Sequence, residues 1–224
     1  MPRPVIYVLA GVNGAGKSSV GGHLLSQCGA TWFNPDTFAR ELRAASGCDQ
    51  LTANALAWQE GMRRLAVAID TRANYAFETT LGGNSVPAKL LEASDSHDVI
   101  MWFCGLASPK MNLERVHARV RAGGHDIPEA KIRERFVNSR HNLIELMPKL
   151  AALRVFDNST PADGDGTLPD PLLVLSMERG KLIHPSARDI ATLELTPEWA
   201  KPLVEAAIGM QARSPGTGTR KSRK

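Results

Sequence analysis

The strongest constraint on this chain is a junction near its start, where VIYVLAG at positions 5–11 leads directly into VNGAGKSS. The first part is a continuous apolar run, as a strand buried on both faces requires. The second completes the pattern G-x-x-x-x-G-K-[ST], and a helical stretch from about position 17 to 27 follows. A loop between a buried strand and a helix N-terminus can turn its backbone N–H groups inward around phosphate oxygens, aided by the helix's partial positive charge. A turn that tight asks for glycine at Gly14 and Gly16. Lys17 then supplies a point charge for β- and γ-phosphates, and the Ser18 hydroxyl a ligand for Mg²⁺. The expected contacts of a nucleoside triphosphate are therefore Gly11, Asn13, Gly14, Ala15, Gly16, Lys17, Ser18 and Ser19.

Further strand-like runs alternate with helical ones. They are a short piece in TWFNPDTF, then NYAFETTL at 74–81, DVIMWFCGL at 98–106 and LRVFDNS at 153–159. Strands alternating with helices predict an α/β fold: a parallel sheet of about five strands with helices on both faces, the P-loop NTPase architecture. Asn34-Pro35 opens a helix, and another spans about 51–71. Beyond the last parallel strand, LLVLSMERGKLI predicts a small hairpin turning at Arg179-Gly180, and Thr196 with Pro197 an N-capped terminal helix. The expected organisation is one domain over residues 1–211, with a lid at about 113–140 and the hairpin and helix at 172–209. Trp58, Trp102 and Trp199 are expected in core or hairpin packing.

Charge points away from a nucleic-acid groove. The net charge is +4, but the last twelve residues, RSPGTGTRKSRK, hold five cations and no acid, so the rest stands at −1. Ser, Gly, Thr and like charges cannot bury a core, so 212–224 is expected to be a disordered basic tail. A body near neutrality lacks the basic footprint of polyanion binders. Cys28, Cys48 and Cys104 have no close spacing, which argues against a disulfide framework or a zinc site. No run approaches the ~18 apolar residues of a membrane span, and a cytoplasmic location is the default.

Two carboxylates follow strand-like runs. Asp36 stands in the first helical turn after TWFN, at the carboxyl end of the second strand, where ligands gather in open parallel sheets. It could accept the proton of an acceptor hydroxyl, or merely help to cap its helix. Glu78 ends a buried run and is followed by Thr79, Thr80 and the pair Gly82-Gly83. It could meet acceptor hydroxyls or water-bound Mg²⁺, or mark ordinary strand-exit chemistry. A GTPase would need N-K-x-D after a late strand, and none is present; Asp163 to Gly166 matches D-x-x-G with no strand before it. The short distance from glycine loop to Glu78 suits a compact kinase.

Later comes RVRAGGHDIPEAKIRER, holding Arg119, Arg121, Arg133 and Arg135 around Gly123-Gly124. Gly123 ends one helix in a left-handed conformation and Pro128 opens the next. Residues two apart diverge on a helix, so one arginine from each pair is expected to reach a γ-phosphate. Arg121 and Arg133 are the expected pair, with Arg119 and Arg135 as further ATP contacts. The alternative is two solvated helix faces with Glu129 and Glu134 pairing locally. His125 is the one histidine near this candidate lid; the others lack ligand spacing.

Taken in order, GVNGAGKSS, FNPDTFARELR, FETTLGG, ERVHARVRAGGHDIPEAKIRER and FDNS resemble the zeta toxin family and its stand-alone bacterial relatives, over about positions 4–160. That resemblance implies an ATP- and Mg²⁺-dependent kinase whose toxin members phosphorylate the 3′-hydroxyl of the sugar in UDP-N-acetylglucosamine. By motif it implies Asp36 as catalytic aspartate, Lys17 as phosphate-loop lysine and Ser18 as Mg²⁺ ligand. Glu78 and Thr80 match substrate contacts, and the arginine stretch the γ-phosphate contacts. It also asks for an acidic residue on the preceding helix, where Glu60 in WQEGMRR is the candidate. Pro35 between Asn34 and Asp36, and GGHDIP in the arginine stretch, depart from the plasmid toxins, so the acceptor is less fixed than the reaction. A nucleoside, an antibiotic, a nucleic-acid 5′ end or a non-catalytic nucleotide-sensing role remain alternatives. A small-molecule hydroxyl substrate is the expected partner, and nothing in the sequence marks where an antitoxin would bind.

Overall fold

The computed structural model describes residues 2–17, 21, 32–161, 164 and 169–213. Seven strands form one sheet in the order β2-β3-β1-β4-β5-β6-β7. They are β1 (Val5–Ala10), β2 (Trp32–Phe33), β3 (Tyr75–Thr79), β4 (Asp98–Gly105), β5 (Ala152–Asp157), β6 (Leu172–Glu178) and β7 (Lys181–His184). The first five run parallel, with β1 at the centre between β3 and β4. This is the expected α/β P-loop architecture, with one correction: the sheet has seven strands among the described residues, not five. The hairpin predicted around Arg179-Gly180 forms, but β6 pairs antiparallel along the whole of β5, so the hairpin extends the main sheet.

Among the described residues the α-helices are α1 (Pro35–Ser46), α2 (Gln50–Thr71), α3 (Ser85–Ala93), α4 (Pro109–Arg121), α5 (Glu129–Leu146), α6 (Ile190–Glu194) and α7 (Lys201–Arg213). Their starts follow local chemistry. Asn34 caps α1, its side chain accepting from the Asp36 and Thr37 amides; Asp49 caps α2 through Thr52, and Ser108 caps α4 through Met111. Gly123 is left-handed (φ 93°) one residue past the cap of α4, and Pro128 is the N-cap of α5 rather than its first residue. Thr196 does not cap the terminal helix: a turn over 197–200 intervenes, so α7 starts at Lys201. α7 runs to Arg213, two positions into the expected tail; the rest of that tail lies outside the described residues.

The alternation of β1 separates two cores. Ile6, Val8 and Ala10 join a large cluster with Phe103, Val155, Ile132, Phe136, Leu143 and Leu203. Leu9 packs on the opposite face with Trp102, Cys104 and Ala76. Trp102 and Trp199 are buried as expected, but Trp58 is 52% exposed. Among the described residues, no helix is long and apolar enough to cross a membrane.

Candidate active site

The parallel strands deliver their carboxyl ends to one edge, and the glycine loop lies there beside the exit of β3. Gly14 and Gly16 have φ of +80° and +79°. Their faces are also filled: a Cβ on Gly14 would meet the Asn112 carbonyl at 2.8 Å, and one on Gly16 the Asn158 amide nitrogen at 2.2 Å. Only glycine lets α4 and the end of β5 lie this close to the loop. Asn158 Nδ2 donates to the Ala15 carbonyl at 3.0 Å, and Asn112 Nδ2 to the Asn13 carbonyl at 2.7 Å. Arg115 Nη2 in turn donates to the Asn158 carbonyl at 2.8 Å. The loop is thus held from outside through its carbonyls, and from within by the Ala15 N–H, which donates to the Val12 carbonyl at 3.1 Å.

Lys17 is 7% exposed, and its Nζ lies 3.3 Å from Glu78 Oε1. Glu78 Oε2 accepts from Asn34 Nδ2 at 3.1 Å. One asparagine therefore starts α1 and orients the carboxylate that closes β3. Asp36, half-exposed on the first turn of α1, accepts from Arg119 Nη1 at 3.3 Å. Arg119 is also covered by the hinge, since a Cβ on Gly124 would sit 2.9 Å from its Cγ. Its Nε is buried with no hydrogen-bond partner among the described residues. From α5, Arg135 Nη1 donates to Asn13 Oδ1 at 2.8 Å. Burial draws the Arg135 guanidinium below its ordinary value, with Asp36 and then Glu134 opposing the shift.

These groups share a cavity of about 290 Å³ whose lining includes Lys17, Asp36, Glu78, Thr80, His125 and Arg135. Thr80 sits at its edge, its hydroxyl accepting from the Gly82 amide at 3.5 Å. The expected arginine pair is not the one brought here. Arg121 and Arg133 are exposed, and Arg133 pairs with Glu129 at 2.7 Å; Arg135 reaches the loop at Asn13 and Arg119 reaches Asp36 instead, because α4 and α5 turn their other faces inward. Ser18 and Ser19 lie outside the described residues. Glu60 does not line the cavity; bonds from Arg63 and Arg64 bind it and hold its carboxyl down at about 2.

The residues present suit a Mg²⁺-bound nucleotide. Mg²⁺ keeps several waters and takes one or two carboxylates plus substrate phosphates, and Glu78 offers such a carboxylate beside the phosphate-loop lysine. Among the described residues, no three His, Cys, Asp or Glu side chains group as a self-contained metal site. Sequence reasoning missed Asn112, Arg115 and Asn158 as loop supports. It read Asn34 only as part of a helix start, not as the partner of Glu78, although the N-x-D spacing in FNPDTF carried that signal.

A family model described as an AAA domain matches residues 6–136. The chain belongs to this family. The match spans the glycine loop, both carboxylates and the arginine stretch. Among solved structures, the native AvrRxo1-ORF1:ORF2 complex is similar at 15% identity with a TM-score of 0.59, covering 93% of this chain and 71% of that one. The same complex with ATP gives 16% and 0.57, over 88% of this chain and 64% of that one, so in that structure this chain spans less than two thirds of its counterpart. The PezAT chromosomal toxin–antitoxin system of Streptococcus pneumoniae gives 15% and 0.58, over 96% and 86%. At these identities the likeness is one of fold, and it lies where the zeta toxin resemblance pointed. No curated protein matches the chain.

Proposed function

We propose that this protein is an ATP- and Mg²⁺-dependent kinase that transfers the γ-phosphoryl group to a hydroxyl of a small molecule. The observation that carries this reading is the shared cavity, lined by both the phosphate-loop lysine, Lys17, and the carboxylate of Asp36. In the reaction, the acceptor O–H gives its proton to Asp36, an O–P bond forms to the γ-phosphorus, and the bond to ADP breaks. Bound Mg²⁺ supplies charge neutralisation of the phosphate oxygens, and Ser18 and Glu78 would hold it directly or through water. Lys17, Arg119 and Arg135 meet the phosphates, and Thr80 and Glu78 orient the acceptor. In this reading residues 1–211 form one unit, and α4, the Gly123-Gly124 turn and α5 act as its lid.

For the acceptor, the zeta toxin resemblance supports a nucleotide sugar such as UDP-N-acetylglucosamine. A neutral alcohol is the second reading, favoured by the charges of the cavity. Its three cations, Lys17, Lys131 and Arg135, are matched by three acids, Asp36, Glu78 and Asp126. Lys131 is moreover paired with Glu134 at 3.0 Å, so a second diphosphate finds few free charges. Incubation with ATP, Mg²⁺ and panels of nucleotide sugars, nucleosides and neutral alcohols, read by mass spectrometry for a gain of one phosphate, tests both readings. A phosphorylated acceptor from any panel is the expected result; none from all three would overturn the kinase.

A further inference from the structure

One face of α2 contributes to the lining of the cavity. Asn54, Ala57, Trp58, Gly61, Met62 and Leu65 line it, a spacing that places all six on a single helical stripe. Gly61 has a packing reason: a Cβ there would come within 3.0 Å of the Phe33 ring, so its absence lets that ring approach the helix as a wall. Ile127 and Pro128, from the turn before α5, line the cavity too, with Val86 of α3. The α2 stripe thus adds a mostly apolar wall to a lining that also holds Lys17, Asp36, Glu78 and Arg135.

Trp58 is the residue this arrangement leaves unexplained. It is 52% exposed, and no hydrogen bond or ring contact holds its indole among the described residues. Trp32 and Trp102, by contrast, pack into the core around Leu9, and Trp199 joins the main core. A solitary exposed aromatic is ordinary on a surface. One that is half-exposed and lines a cavity shared with the phosphate-loop lysine can serve as a stacking platform, since every planar ring offers a π-face whatever its substituents.

We infer that Trp58 determines acceptor choice by stacking on a planar unsaturated ring, while the acceptor's hydroxyl reaches Asp36. The inference rests on the kinase reading and adds the chemistry of the acceptor's far end. Such a ring can be the base of a nucleotide sugar or the aryl group of a neutral alcohol. Stacking is common to both; the charge around it differs.

The test is calorimetric binding in the presence of ADP and Mg²⁺, using wild type, Trp58→Phe and Trp58→Ala. The probes are UDP-N-acetylglucosamine, uridine, phenyl N-acetylglucosaminide and N-acetylglucosamine. Ring-bearing probes are expected to bind wild type more tightly than N-acetylglucosamine does. Trp58→Ala should weaken them by roughly ten- to a hundredfold, whereas Trp58→Phe, which keeps a ring, should retain most of the affinity. Tighter binding of UDP-N-acetylglucosamine than of the phenyl glycoside assigns the ring to a nucleobase, and the reverse order to a neutral aryl alcohol. Equal affinity of Trp58→Ala and wild type for every ring-bearing probe overturns the inference. So does N-acetylglucosamine binding as tightly as the ring-bearing probes, or no probe binding at all. ATP-dependent transfer is scored separately: transfer untouched by Trp58→Ala sinks the platform and spares the kinase. Ring binding that depends on Trp58 without transfer to any acceptor does the opposite.

Discussion

Arg119 Nη1 lies 3.3 Å from Asp36 Oδ2, so a cation from the candidate lid rests on the carboxylate proposed to take the acceptor's proton. Lys17 and Glu78 repeat the arrangement at 3.3 Å. On the proposed reading, phosphate oxygens of an entering nucleotide would compete for the cation in both pairs, and each carboxylate would be freed as its partner turns away. Asp36→Asn removes the base and one competitor together. ATP binding should then hold or tighten in calorimetry, while phosphoryl transfer falls by about 10²–10⁴-fold. Transfer at the wild-type rate would show that Asp36 is not the base.

The arginines divide by face. Arg135 bonds Asn13 of the glycine loop and Arg119 bonds Asp36, whereas Arg121 is exposed and Arg133 is paired with Glu129 along its own helix. Groups that meet charge as it develops on the transferring phosphoryl contribute far more than solvated ones. Arg119→Ala and Arg135→Ala should each lower kcat by about 10²–10³-fold. Arg121→Ala and Arg133→Ala should leave it near wild type. The reverse ranking in single-turnover kinetics would mean that the lid rearranges to present its other face.

Gly82 sets how closely α5 approaches the exit of β3. A Cβ there would lie 2.5 Å from Arg135 Cγ and 3.1 Å from its Cα, so the backbone of α5 would have to move. That helix is pinned by Asn142, whose Nδ2 donates to the Leu81 and Gly83 carbonyls at 2.7 and 3.1 Å. Gly82→Ala should cost about 1–3 kcal/mol in urea unfolding and should lower kcat by displacing Arg135. Gly83→Ala is the control, because nothing lies within 4 Å of its added carbon. Equal effects of the two substitutions would show that the contact at Gly82 carries no particular weight.

What could be read from the residues follows how local the physics is. The glycine loop and the Asn34-Pro35 helix start are decided by a few adjacent residues, and each forms where the pattern places it. Hairpin formation at Arg179-Gly180 is local too, but its pairing with β5 depends on which edge of the sheet is open. Arg121 was favoured over Arg119 because helical periodicity says only that neighbours two apart diverge. Which of the two faces inward is set by how α4 crosses the glycine loop, through Asn112 and Arg115. Trp58 looks like a core residue by type, since large aromatics usually bury; only the placement of α2 along the cavity reveals the exposed side. Thr196 and Pro197 carry a good capping signal, yet the chain takes one more turn before α7 starts.

Cys104 gives a prediction in pH. It is fully buried beneath the glycine loop, close enough that a Cβ on Gly11 would meet its carbonyl oxygen at 2.2 Å. Burial pushes its thiol from 9.0 up to about 12, with Lys17 opposing and Glu78 adding to the shift. Because the folded value is the higher one, the stability linked to this group is fully present below pH 9.0 and is lost as pH rises toward 12. By pH 10.5 the unfolded chain ionises freely while the folded chain does not, which costs about 2 kcal/mol. Cys104→Ala removes the thiol and leaves only a small packing defect. Wild type should therefore be the more stable of the two at pH 7, and the difference should shrink or reverse by pH 10.5 in parallel urea titrations. A difference that stays constant across that range would place the thiol in contact with water, contrary to its position against the loop.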